Sequence, residues 1–196
     1  MDLNIAHLSQ STHNLGPGER AVVWVQGCPH RCPGCIAPEW LSIEARRLIS
    51  PLALLDELLV SKTITGLTFS GGEPMAQAGG LAILARLARE RIPNLNIICF
   101  TGYRLEQLVK HPPNPAVHGL LAELDVLVDG LYVRSLNNGI GLRGSTNQRI
   151  IHLTPRLANH NLEELPRNLD FFIDAGEIKM IGIPPLWIEP LLKEVF

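Results

Sequence analysis

AVVWVQGCPHRCPGC, residues 21–35, joins a β-rich apolar run to a loop that holds three of the chain's four cysteines. The valines and the tryptophan of 21–27 favour an extended, buried strand. Proline and glycine then keep 28–35 out of helix, so the thiols of Cys28, Cys32 and Cys35 turn toward a common centre. A strand that runs into a loop of ligand-type residues is the unit from which parallel α/β folds place their sites, at the carboxyl ends of strands.

The chain beyond it repeats that unit. PLALLDELLVSK (51–62) follows Ser50, an N-cap, with Pro51 at the first helical position and leucines at helical spacing. GLTFSGGEP (66–74) reads as a buried strand that ends in a glycine turn, and 75–92 as a helix with its arginines late. NLNIICFTGY (94–103) is a further strand, 104–111 a short helix stopped by Pro112 and Pro113, and LDVLVDG (124–130) a third apolar strand. QRIIHL (148–153) and GEIKMIGIP (176–184) complete the set. Strands that alternate with helices predict an α/β fold of parallel units. About six strands fit, fewer than the eight of a closed barrel, so a partial barrel with an open side is expected.

At 196 residues the chain is expected to be a single domain, 1–196. A net charge of −2 gives no basic field for nucleic acid, so that partner class is disfavoured. Residues 1–20 lack the pattern of a signal peptide, and no stretch reaches the roughly 18 apolar residues of a membrane span. A cytoplasmic location is the default, and there clustered cysteines read as metal ligands or redox groups rather than as a disulfide framework.

The spacing C-x3-C-x2-C leaves three chemistries open. Structural zinc takes four ligands, and Cys99 or a histidine would have to supply the last. Cys99 lies within the apolar run NIICF and reads as a small buried hydrophobe, while His30 sits inside the loop, poorly placed to close a tetrahedron. An open-site iron–sulfur cluster needs only three thiolates, and redox thiols are the third possibility.

Read with FSGGEP (69–74), the cysteine loop resembles the radical S-adenosylmethionine (SAM) superfamily. LGPGERAVVWVQGCPHRCPGC, FTGYRLEQL, DVLVDG and RGSTNQRI are similar to segments of the anaerobic ribonucleotide reductase activating proteins and related glycyl-radical-enzyme activases, from about Gly16 to Ile151. The resemblance implies a partial (β/α)6 barrel of the radical SAM type. It implies a [4Fe–4S] cluster on Cys28, Cys32 and Cys35, with SAM chelating the open iron. Reductive cleavage of SAM would give a 5′-deoxyadenosyl radical that takes a hydrogen atom from a glycine of a partner enzyme. It also implies a flavodoxin- or ferredoxin-type electron donor. No second cysteine cluster exists to serve an auxiliary centre.

The same likeness assigns residues. Gly71 and Gly72 let the backbone approach SAM closely, and Glu73 either accepts from the methionine ammonium or braces the turn. Thr101 and Asp129 match positions near the methionine, or simply end their strands. Arg143, Ser145, Asn147 and Arg149 form a polar loop that would contact SAM, contact a partner peptide, or hydrogen-bond within itself. Gly34 stands where many radical SAM proteins carry an aromatic residue, so adenine must be held by other groups.

Overall fold

The computed structural model describes residues 1–61, 63–174 and 177–188. In chain order its strands are β1 (Leu3–Thr12), β2 (Arg20–Val25), β3 (Leu48–Ile49), β4 (Gly66–Gly71), β5 (Asn96–Thr101), β6 (Val126–Asp129), β7 (Arg149–His152), β8 (Leu169–Asp174) and β9 (Glu177–Gly182). The helices are α1 (Pro51–Leu58), α2 (Ala78–Arg91), α3 (Leu105–Lys110) and α4 (Val117–Leu121). Among the described residues the main sheet has seven strands in the order β3-β1-β2-β4-β5-β6-β7, and β8 with β9 forms a separate hairpin.

β2, β4, β5 and β6 pair in parallel, each beside the next in the chain. Every crossover therefore steps the same way across the sheet, and the right-handed rule puts the helices on one face. Accordingly α1 packs on α2, and α2 on α4. Parallel strands buried on both faces read as unbroken apolar runs, as all six residues of β2 and all four of β6 are buried. The faces still alternate with period two. Val23 and Val25 of β2, with Ile97 and Cys99 of β5, join the helix-side core around Leu54, Leu81 and Leu84. Val22, Trp24 and Ile98 point the other way.

Three helices lie within the expected ranges, although α1 ends at Leu58, short of the expected 62, and α2 begins at Ala78 rather than at 75. Ser50 Oγ accepts from Ala53 N at 3.3 Å, with Pro51 inside the first turn of α1. α2 starts after a 3-10 turn, Pro74–Gln77, and carries Arg89 and Arg91 in its last turn. α3 stops at Lys110, before the proline pair.

The sheet differs from an all-parallel expectation at both edges. β7 returns antiparallel to β6, because 130–148 holds a single 3-10 turn and no helix to make a crossover. The strand expected at 176–184 pairs with β8 in the hairpin, outside the main sheet; residue 176 lies outside the described residues. β1 was not expected. It pairs antiparallel with β2 through register shifts at Ile5/His7 and Ser9/Thr12, and these bulges break the alternation by which a strand is recognised. The face without helices is not left bare. Leu142, Leu157 and Leu162 pack on Ile98, Val126 and Val128, and Ile181 packs beside Val22 and Trp24. No helix of the described residues is long and apolar enough to cross a membrane.

Candidate active site at the strand ends

The carboxyl ends of β2, β4, β5 and β6 lie side by side, and each carries residues that the sequence singled out. The cysteine loop leaves β2 through Gly27, whose φ of +96° few side chains tolerate. It is pinned at its start by Gly27 N donating to Trp40 O (2.8 Å) and Cys28 N to Leu41 O (3.2 Å). Within it, Arg31 (φ +48°) and Gly34 (φ +77°) occupy the left-handed region and make the tight turns. Cys28, Cys32 and Cys35 are half-buried and free of disulfides. Burial pushes the thiols of Cys28 and Cys35 up, and the neighbouring Cys32 adds to both shifts. Nearby backbone N–H groups, those of His30 and Arg31 for Cys28 and that of Ala37 for Cys35, act against this rise.

Among the described residues no three His, Cys, Asp or Glu side chains stand as a preformed metal cage. The donor set nonetheless suits a cluster with three protein ligands, since the thiols are half-buried on one short loop, and backbone N–H groups nearby favour their thiolate forms. A fourth protein ligand is hard to find. Cys99 is fully buried in the helix-side core, and His30 turns Nε2 toward Glu73.

The Gly-Gly turn after β4 lies directly on the start of the cysteine loop. A Cβ at Gly71 (φ +104°) would sit 2.5 Å from Val25 N, and one at Gly72 would sit 2.3 Å from Gly27 O. Gly72 N donates to Val25 O (2.7 Å) and Glu73 N to Gly27 O (2.8 Å). Both glycines thus serve close approach of backbone to backbone, which fixes the loop's root to β4.

Glu73 is 1% exposed and fully engaged. Its Oε1 accepts from Met75 N (2.9 Å) and Thr101 Oγ1 (2.8 Å); its Oε2 accepts from Gly102 N (2.9 Å) and lies 3.2 Å from His30 Nε2. A carboxylate offers about four lone-pair positions, and here all have a neighbour. These bonds tie the segment after β4 to the end of β5, the geometry of a brace. Thr101 serves the same brace, its hydroxyl also accepting from Tyr103 N (3.2 Å).

Asp129, likewise fully buried, is held by Leu105 N (2.8 Å), by Arg104 Nη1 (3.2 Å), and by Nε (2.9 Å) and Nη2 of Arg149. Arg149 in turn forks onto Glu106 at 2.8 and 2.9 Å. The loop 143–149 folds on 130–133. Ser145 Oγ accepts from Val133 N (3.1 Å), and Gln148 bridges Gly144 N and Gly130 O (2.8 Å each). Arg143 Nη1 donates to Gln148 O (3.2 Å), while Arg143 Nε and Asn147 Oδ1 are buried without partners. The Arg134 side chain lies against Gly34, so this loop borders the cysteine loop.

A family model described as 4Fe-4S single cluster domain matches residues 14–151. The chain is 33% identical over 145 residues to the anaerobic ribonucleoside-triphosphate reductase-activating protein of Vibrio cholerae, covering 70% of this chain and 89% of that protein. It is 32% identical to the Escherichia coli K12 protein of the same name (70% and 91% covered) and 31% to that of Enterobacteria phage T4 (74% and 92%). The chain belongs to the anaerobic ribonucleoside-triphosphate reductase-activating protein family.

In this activating-protein family member, Cys99 has a packing role. Cys99→Ala is expected to leave iron content unchanged and to cost about 1 kcal/mol, as removal of one small buried group does. Iron analysis and a denaturant titration check both; lost iron would make Cys99 a ligand.

The Asp129 cluster predicts an acid limit. Burial alone would raise the Asp129 carboxyl, but Arg149, Leu105 N–H and Arg104 outweigh it and hold it below the ordinary value of 3.8. Hydrogen bonds from Arg149 bring Glu106 down to about 2, and Asp129 and Glu106 raise Arg149. A carboxyl depressed on folding contributes stability above its unfolded pKa and loses it as pH falls through the folded one. Thermal midpoints should therefore fall from about pH 4 toward pH 2, and Arg149→Met should flatten that fall. An unchanged slope in the variant would contradict the assignment.

Sequence reading missed His30 as more than a poor zinc ligand, and missed Arg104 and Gln148 entirely. His30 stood inside the quoted loop; the other two become visible only when their distant partners are folded against them.

Proposed function

We propose that this activating-protein family member is a radical SAM activase that generates a glycyl radical on a partner enzyme, most simply an anaerobic ribonucleoside-triphosphate reductase. The observation that carries the reading is the set of three unpaired, half-buried thiols on one loop, rooted on the Gly71–Gly72 turn at the adjoining strand end. Reductive cleavage of SAM to methionine and a 5′-deoxyadenosyl radical, followed by abstraction of a glycine hydrogen, is the chemistry that a [4Fe–4S] cluster supplies when bound there.

The chain's own residues divide the remaining work. Cys28, Cys32 and Cys35 hold the cluster as thiolates, and amide N–H groups of the loop stabilise the sulfur charge. Gly71 and Gly72 present backbone beside the loop, where the methionine end of SAM is received. Glu73, Thr101 and Asp129 keep the strand ends rigid rather than touching SAM. Arg143 and Ser145 belong to the loop that borders the site, and we place them there as groups that shape its contact with SAM or with the partner peptide. The singly wound parallel strands fit a partial barrel, with the whole chain as one domain. A flavodoxin- or ferredoxin-type donor in the cytoplasm would supply the electron.

The test is to incubate anaerobically reconstituted protein with SAM, a reductant and an anaerobic ribonucleoside-triphosphate reductase. A glycyl-radical doublet in the paramagnetic resonance spectrum, together with 5′-deoxyadenosine, is expected. 5′-Deoxyadenosine without a protein radical would point instead to a peptide or small-molecule substrate.

A further inference from the structure

Four of the residues between the thiols, Pro29, Arg31, Pro33 and Gly34, are exposed, and the left-handed turns at Arg31 and Gly34 shape the loop without saying where it sits. His30 is different. Its side chain is 17% exposed and its ring meets Tyr103 edge-on, with centroids 4.4 Å apart at 68°. A Cβ at Gly102 would lie 2.4 Å from His30 Cδ2, so the ring fills the space that a side chain at 102 would take. Its Nε2 is buried, 3.2 Å from Glu73 Oε2, within ion-pair reach though not aligned as a hydrogen bond, and has no other partner. Glu73 itself is fixed by the ends of β4 and β5.

We infer that His30 is a positioning residue that ties the cysteine loop to the strand ends, its ring seated against Gly102 and Tyr103 with Nε2 in ion-pair reach of Glu73. The inference rests on reading 28–35 as the cluster loop. His30 then sets the place of the thiolates on either side of it, which governs how firmly a cluster is held and how it meets a ligand. Gly102 and Tyr103 shape the slot that admits the ring.

The test compares wild type, His30→Ala and His30→Gln after anaerobic reconstitution. The readouts are iron per chain, the rate of iron loss to a chelator, and the resonance spectrum of the reduced cluster with and without SAM. His30→Ala is expected to lose iron about 10-fold faster, the scale of effects seen when a ligand's supporting group is removed. Its spectrum should broaden and respond less to SAM. His30→Gln, which keeps an N–H at similar reach, should restore wild-type behaviour to within about 3-fold. Should alanine unfold the chain, His30→Leu fills the ring's space without an N–H and replaces it. Wild-type iron retention and SAM response in the alanine or leucine variant would overturn the inference, as would a glutamine variant no better than alanine. A wild-type protein that takes up no cluster would overturn the functional reading and this inference with it.

Discussion

Single replacement of Cys28, Cys32 or Cys35 by alanine is expected to abolish 5′-deoxyadenosine formation from SAM and to leave little or no cluster after reconstitution. The three thiols come from one loop, so the chain has no slack by which another residue could substitute. Cys99, the remaining cysteine, is fully buried on the helix side of β5. A cluster already open at one iron would lose a second protein ligand and become labile. Iron analysis, the visible absorbance of the cluster and product chromatography measure this outcome for each variant. Full activity in any one of the three would remove that residue from the ligand set and bring the assignment down.

Glu73→Ala is expected to damage stability and the site together. The substitution strips the acceptor from Met75 N, Thr101 Oγ1 and Gly102 N. Each buried donor left unsatisfied costs about 1–3 kcal/mol, so a loss on the order of 3 kcal/mol or more follows even if the Thr101 hydroxyl finds another acceptor. The end of β5 would then drift from the end of β4, and His30 would lose its carboxylate, so cluster retention should fall with SAM affinity. Glu73→Gln keeps one carbonyl oxygen for Met75 N and Thr101 and should lose less. A denaturant titration beside SAM binding separates the cases. A stable alanine variant with an intact cluster and no SAM affinity would return Glu73 to the role of ammonium acceptor.

The parallel core of the fold was legible because β2, β4, β5 and β6 are buried on both faces and announce themselves as apolar runs ending in glycine. Helix starts were legible wherever a local cap sets them, as at Ser50 and Pro51. β1 was not, since its bulges switch the face that each residue occupies and its second half is polar. Nor was the direction of β7, which depends on the absence of a helix between it and β6. In the site, the three thiols proposed to hold the cluster are close together in sequence and so could be read at once. The roles of Glu73 and Asp129 could not. Glu73 meets Thr101 and Gly102 across 28 and 29 residues, and Asp129 meets Arg104 and Arg149 across 25 and 20. Sequence shows only that an acid follows a strand; packing decides whether it faces a ligand or a neighbouring cation.

The most direct measurement is the electron paramagnetic resonance spectrum of anaerobically reconstituted, reduced protein, recorded with and without SAM. A [4Fe–4S] signal whose shape changes on addition of SAM is expected, because three cysteines leave one iron for SAM to occupy. A cluster signal indifferent to SAM, or a protein that binds zinc and forms no cluster, would contradict it.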